Sequence, residues 1–116
     1  MKATIYHNPR CSKSRATKAL LEARGVTLKV IEYLKNPPSR ETLSTLIKKL
    51  NIEPQDLVRT EEDDFKAAGV DLSAATNDRI IDLMTTYPRL IQRPIVELAH
   101  TARIGRPPES VLELFE

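Results

Sequence analysis

Between Thr4 and Ile31 the hydrophobic pattern changes period twice, and this constrains the fold more than any other feature of the chain. Thr4-Ile5-Tyr6 reads as a short strand, stopped by the turn-forming pair Asn8-Pro9. Apolar residues then fall at Ala16, Ala19, Leu20 and Ala23, the spacing of a helix over 12–24, with Gly25 in the place of a C-cap glycine. Ser12 is expected to cap that helix, which leaves Cys11 at its mouth. Val26, Leu28, Val30 and Ile31 form a second strand, and Glu32-Tyr33-Leu34 lead out of it. A strand, a helix and a strand in this order make a right-handed crossover between parallel strands.

The middle of the chain is helical. Ser39 is the expected N-cap after Asn36-Pro37-Pro38, and Leu43, Leu46, Ile47 and Leu50 form an apolar stripe up to Asn51. A turn from Pro54 to Arg59 precedes a helix from about Asp63 to Ala68, closed by Gly69. Thr76 or Asn77 caps another helix, apolar at Ile80, Ile81, Leu83 and Met84, which stops before Pro88. Strands return at Ile95–Leu98 and Thr101–Gly105, expected to pair as a hairpin across Ala99-His100, and Pro107-Pro108 open a final helix through Val111, Leu112 and Phe115. The order is βαβ, helices, then ββα. That order is α/β and thioredoxin-like: a mixed four-stranded sheet in one domain over 1–116, with a helical insertion at about 39–88 between its halves.

Composition narrows the function. A chain of 116 residues suits one domain. It has no run near the roughly 20 apolar residues that cross a bilayer, and its start shows a strand pattern without a basic, apolar leader. One cysteine cannot form an intramolecular disulfide, and with only His7 and His100 it cannot complete a zinc site. We therefore expect no metal, no membrane, and a reducing, cytoplasmic setting. A net charge of +2 is too small to imply nucleic-acid binding. The acidic run Glu61-Glu62-Asp63-Asp64 reads as a solvated loop or helix start, and His100 as a solvated turn residue.

The charge around Cys11 is local. Arg10, Lys13 and Arg15 surround it, and no acidic residue occurs from Lys2 to Leu21. A lone cysteine is ordinarily a small buried hydrophobe. Here the helix mouth and the cationic neighbours favour the thiolate, the reactive form, and the flanks Asn8-Pro9-Arg10 and Ser12-Lys13-Ser14 are polar. Ser14 stands where a Cys-x-x-Cys pair has its second sulfur, so no internal disulfide can form. Thr17 stands where a phosphatase loop has its arginine, and Arg15 comes too early. What remains is a monothiol nucleophile that forms a mixed disulfide with a small thiol or attacks an oxyanion held nearby.

Two late arginines bear on that choice. Gln92-Arg93-Pro94-Ile95 places an X-Pro bond before a strand, and Gly105-Arg106-Pro107-Pro108 places an arginine at the final helix start. In a thioredoxin-like fold the loop before the third strand carries a cis-proline beside the first-helix cysteine, so Arg93 is expected against Cys11. Arginine forks match the oxygens of a doubly charged tetrahedral oxyanion.

HNPRCSKSR at 7–15, Arg59, QRPIV at 92–96 and RIGRPPE at 103–109 together resemble the glutaredoxin-coupled arsenate reductases of the ArsC/Spx superfamily. The resemblance spans essentially the whole chain, including Tyr33–Pro38 and Asn77–Asp82, and is strongest to a shorter, arsenate reductase-like branch. It implies that Cys11 is the nucleophile and His7 the histidine associated with its activation, either as a neutral acceptor of the thiol proton or as a charged stabiliser of the thiolate. It implies that Arg59, Arg93 and Arg106 bind the oxyanion, with Asn8, Ser12, Ser14, Arg15 and Pro94 supporting the loop. It also implies reduction of arsenate to arsenite with glutathione as co-substrate and glutaredoxin as partner; nothing in the sequence itself requires a bound cofactor, and a monomer is expected. The superfamily includes Spx-like regulators that bind RNA polymerase, and a glutathione-linked oxidoreductase with another substrate is a third reading.

Overall fold

The computed structural model describes residues 1–116, and they divide into two compact units. One comprises Met1–Asn36 with Arg93–Glu116, the other Pro37–Gln92.

The first unit is built on a four-stranded sheet. Strand β1 (Lys2–His7) pairs in parallel with β2 (Thr27–Glu32), Ile5 opposite Val30 and His7 opposite Glu32, across helix α1 (Ser12–Ala23). On its other side β1 pairs antiparallel with β3 (Ile95–Glu97), which pairs antiparallel with β4 (Ala102–Ile104). The order β2-β1-β3-β4 is the mixed thioredoxin-like sheet expected from the sequence. The two central strands hold the core, with Ile5 and Val96 opposite one another and fully buried. Ala3, Leu21, Val26 and Val111 complete that cluster, and Leu28, Leu112 and Phe115 pack against it. Edge strand β2 has open positions, Val30 among them.

Three local readings need correction. Helix α1 buries Ser14, Thr17 and Leu21, whereas Ala16, Ala19 and Ala23 are exposed and Leu20 is partly exposed. Alanine favours a helix on any face, so its spacing reported the helix but not its inner side. The buried hydroxyls are acceptable because each has a partner, Thr17 Oγ1 donating to the Lys13 carbonyl at 2.8 Å. The N-cap is Cys11, not Ser12. The last segment, Pro108–Phe115, is a 3-10 helix: Ser110 N–H bonds the Pro107 carbonyl at 3.0 Å, and its hydroxyl reaches that carbonyl and the Ile104 carbonyl, both at 2.7 Å.

The second unit holds the insertion. Helix α2 (Arg40–Leu50) starts at Ser39, whose side chain accepts from Thr42 N–H, and ends at Asn51 in the left-handed region at φ 58°. Helix α3 (Asp63–Ala68) closes on Gly69 at φ 63°. Helix α4 (Asn77–Thr86) is capped by Thr76 and packs on α2, their stripes Leu43, Leu46, Ile47, Leu50 and Ile80, Ile81, Leu83, Met84 all buried. No helix is long and apolar enough to cross a membrane.

Candidate functional site

The turn between β1 and α1 is assembled from its own polar groups. The Asn8 carbonyl accepts from Cys11 N–H at 3.0 Å, closing a β-turn with Pro9 in its second position. The Asn8 side-chain oxygen accepts from Arg10 N–H at 3.0 Å. Cys11 itself is extended, φ −94° and ψ 122°, and its carbonyl accepts from Arg15 N–H at 3.0 Å, the first bond of α1. No side chain caps the helix, so the opening amides and the positive end of its dipole lie beside Cys11. Cys11 is a free, partly exposed thiol. Arg10, Ser12 and Lys13 are exposed, and Arg15 braces the turn, its Nη1 donating to the Pro9 carbonyl at 2.8 Å.

Beneath the turn lies a buried polar group of three. His7, Asn8 and Ser14 are almost wholly excluded from solvent. Ser14 Oγ lies 2.6 Å from His7 Nδ1 and accepts from Asn8 N–H at 3.0 Å. Burial, with Lys18 next in weight, holds His7 below the ordinary imidazole value of 6.5; Arg15 adds to this, and Glu32 and Glu22 oppose it. The bond of His7 is to Ser14, not to Cys11. Further along β1, Tyr6 donates to Glu97 Oε1 at 3.1 Å, and burial with that carboxylate pushes the phenol up to about 12.

The two late motifs come together in the same unit. The Arg93–Pro94 bond is cis, as expected for the loop before β3, and Arg106–Pro107 is cis as well, which the sequence reading did not anticipate. Arg106 Nη1 donates to the Arg93 carbonyl at 3.2 Å, and Gly105 N–H to the Pro94 carbonyl at 2.9 Å. Gly105 is the joint between these motifs and α1. A Cβ there would stand 2.6 Å from Thr17 Oγ1 and 2.8 Å from Pro94 Cγ, so only glycine lets the three surfaces meet. Thr17 and Gly105 were missed as site-building residues. A glycine ending a strand pattern, directly before Arg-Pro-Pro, was the available signal for Gly105.

Arg59 belongs to the other unit. Its backbone N–H bonds the Leu90 carbonyl at 2.7 Å beside the isolated bridge Val58–Ile91. Its guanidinium meets Glu62 at 2.6 Å through Nη1 and Glu61 at 3.5 Å through Nε. The acidic run is therefore partly the counterion of Arg59, with Asp63 and Asp64 in the first turn of α3. His100 is exposed in the hairpin. No group of three His, Cys, Asp or Glu side chains is placed to hold a metal ion.

Comparison with known proteins is consistent in direction. Residues 6–114 match the model of the ArsC family. The chain is 45% identical over 111 residues to a protein of Escherichia coli K12 named Uncharacterized protein YfgD, covering 95% of this chain and 93% of that one. It is 39% identical to an arsenate reductase of Neisseria meningitidis, with 92% of each covered. A solved arsenate reductase from Vibrio cholerae superposes with a TM-score of 0.94 at 45% identity, with 97% of each chain covered.

Proposed function

The chain belongs to the ArsC family, and from that premise we propose that it is an arsenate reductase working through Cys11 with glutathione and glutaredoxin. One observation carries the reading: the unit that presents the free thiol at an uncapped helix start also links Arg93 to Arg106. A nucleophile and oxyanion donors carried by one unit are the groups such a reaction needs. Arg59 is the third oxyanion residue by family resemblance.

The reaction begins when the Cys11 thiolate attacks arsenic and an arsenate hydroxyl, taking a proton from solvent, leaves as water, giving a Cys11–S–As(V) adduct. Arg93 and Arg106 offset the charge on the remaining oxygens. Glutathione then attacks Cys11 sulfur. The S–As bond breaks with its electron pair on arsenic, releasing arsenite and leaving a Cys11–glutathione disulfide that glutaredoxin reduces. Two electrons take As(V) to As(III). With one cysteine in the chain, at least one of the two thiols must come from outside. These thiols place the work in a reducing compartment, the cytoplasm.

The test is NADPH consumption coupled through glutathione and glutaredoxin, with arsenate as substrate, on the wild type and Cys11→Ser. Arsenate-dependent turnover by the wild type alone is the expected result. A folded wild type without it would sink the proposal.

A further inference from the structure

We infer that Ser14 is a positioning residue that fixes His7 in the tautomer with its proton on Nε2, leaving the neutral ring a donor, not an acceptor, to offer. Ser14 is fully buried, and its hydroxyl oxygen has two partners, Asn8 N–H at 3.0 Å and His7 Nδ1 at 2.6 Å. The Asn8 amide can only donate, so it occupies a lone pair of Oγ. The hydroxyl proton has one acceptor within reach, Nδ1. Nδ1 must then be unprotonated, and the proton of the neutral ring sits on Nε2.

The opposite tautomer is disfavoured by the same count. An Nδ1–H would make the ring a second donor to Oγ and strand the buried hydroxyl proton without an acceptor, which is costly. Protonating the ring produces the same orphan. The charges facing His7 are Lys18, Arg15 and Glu22 on α1 and Glu32 on β2. The Ser14 bond acts alongside burial to keep the ring neutral among them.

The position that a redox pair would give to a second sulfur thus has a different task here. Ser14 organises the histidine. With Nδ1 occupied and Nε2 protonated, neutral His7 does not take the Cys11 proton, which leaves to water when the thiolate forms. That consequence rests on the arsenate reading, but the tautomer does not.

The experiment is ¹⁵N–¹H correlation of the imidazole rings of the full chain near pH 8, with His100→Asn to assign the exposed ring. The wild type is expected to show an unprotonated Nδ1, a protonated Nε2 and no detectable Nδ1–H form. In Ser14→Ala the Nδ1–H form should appear, and the His7 titration should rise by about one unit, a tenfold change in proton affinity. An Nδ1–H ring in the wild type would overturn the inference, and that measurement stands even if the variant fails to fold. So would a folded Ser14→Ala with unchanged tautomer and titration. Absence of arsenate turnover beside an Nε2–H ring would count against the proposed function alone.

Discussion

The side chain of Arg106 holds the backbone of Arg93, Nη1 to carbonyl oxygen, at 3.2 Å across thirteen positions of sequence. The strand register explains the meeting. Ile95 lies opposite Ile104 in the antiparallel β3–β4 pair, so the residue two before the one and the residue two after the other converge. The bond uses one of the five N–H donors of Arg106.

From this pair we expect Arg93→Ala and Arg106→Ala each to raise KM for arsenate about tenfold or more, the scale of a lost charge-assisted hydrogen bond. Alkylation of Cys11 by iodoacetamide should be nearly unaffected. Steady-state kinetics set beside alkylation rates checks both. Unchanged arsenate kinetics in both variants would remove these arginines from the site.

Gly105→Ala should destabilise the protein by about 1–3 kcal/mol, because its methyl would overlap Thr17 Oγ1 and Pro94 Cγ. Urea unfolding measures the loss. Thr17→Ala in the same chain should recover part of it, because the two changes share one contact and their effects cannot be additive.

Glu62 competes with any anion for the guanidinium of Arg59, which it meets at 2.6 Å. If Arg59 serves the oxyanion, Glu62→Gln should lower KM for arsenate several-fold while Arg59→Ala raises it. An arsenate KM that moves in neither variant would strike Arg59 from the oxyanion residues.

His7 makes stability depend on pH. Its folded-state value lies below the 6.5 of an exposed imidazole, so on acidification the unfolded chain takes up its proton first. The contribution is complete above pH 6.5 and is lost as pH falls below it. Urea midpoints of the wild type should therefore drop between pH 7.5 and pH 5 by more than those of His7→Gln. Equal drops would contradict this.

Tyr6 should behave oppositely at the alkaline end. Its folded value is about 12 against 10 for an exposed phenol, so its contribution is complete below pH 10 and is lost as pH rises through 12. Ultraviolet titration of the wild type beside Tyr6→Phe should show a late-ionising phenol that the variant lacks. Glu97→Gln should bring it earlier, because the carboxylate that accepts its hydroxyl also repels its phenolate.

The sequence alone determined what depends on local chemistry and period. Ser39 as a cap, the start of α4 at Thr76 or Asn77, Gly69 as a stop, and the stripes of α2 and α4 were legible because capping and a 3.6-residue period leave marks within a few residues. The crossover and hairpin order carried the sheet topology for the same reason, and the helix mouth placed Cys11. Tertiary structure decided which face of α1 turns inward. Alanine spacing pointed one way, but burial went to Ser14, Thr17 and Leu21, because only the packed sheet supplies His7 as a partner for Ser14 and a glycine-lined gap for Thr17. It also decided that Ser14, read as the absence of a resolving thiol, is a buried partner of His7, and that Arg106 reaches Arg93. Such bonds join residues by strand register and burial, and these come into being only when distant segments are packed together.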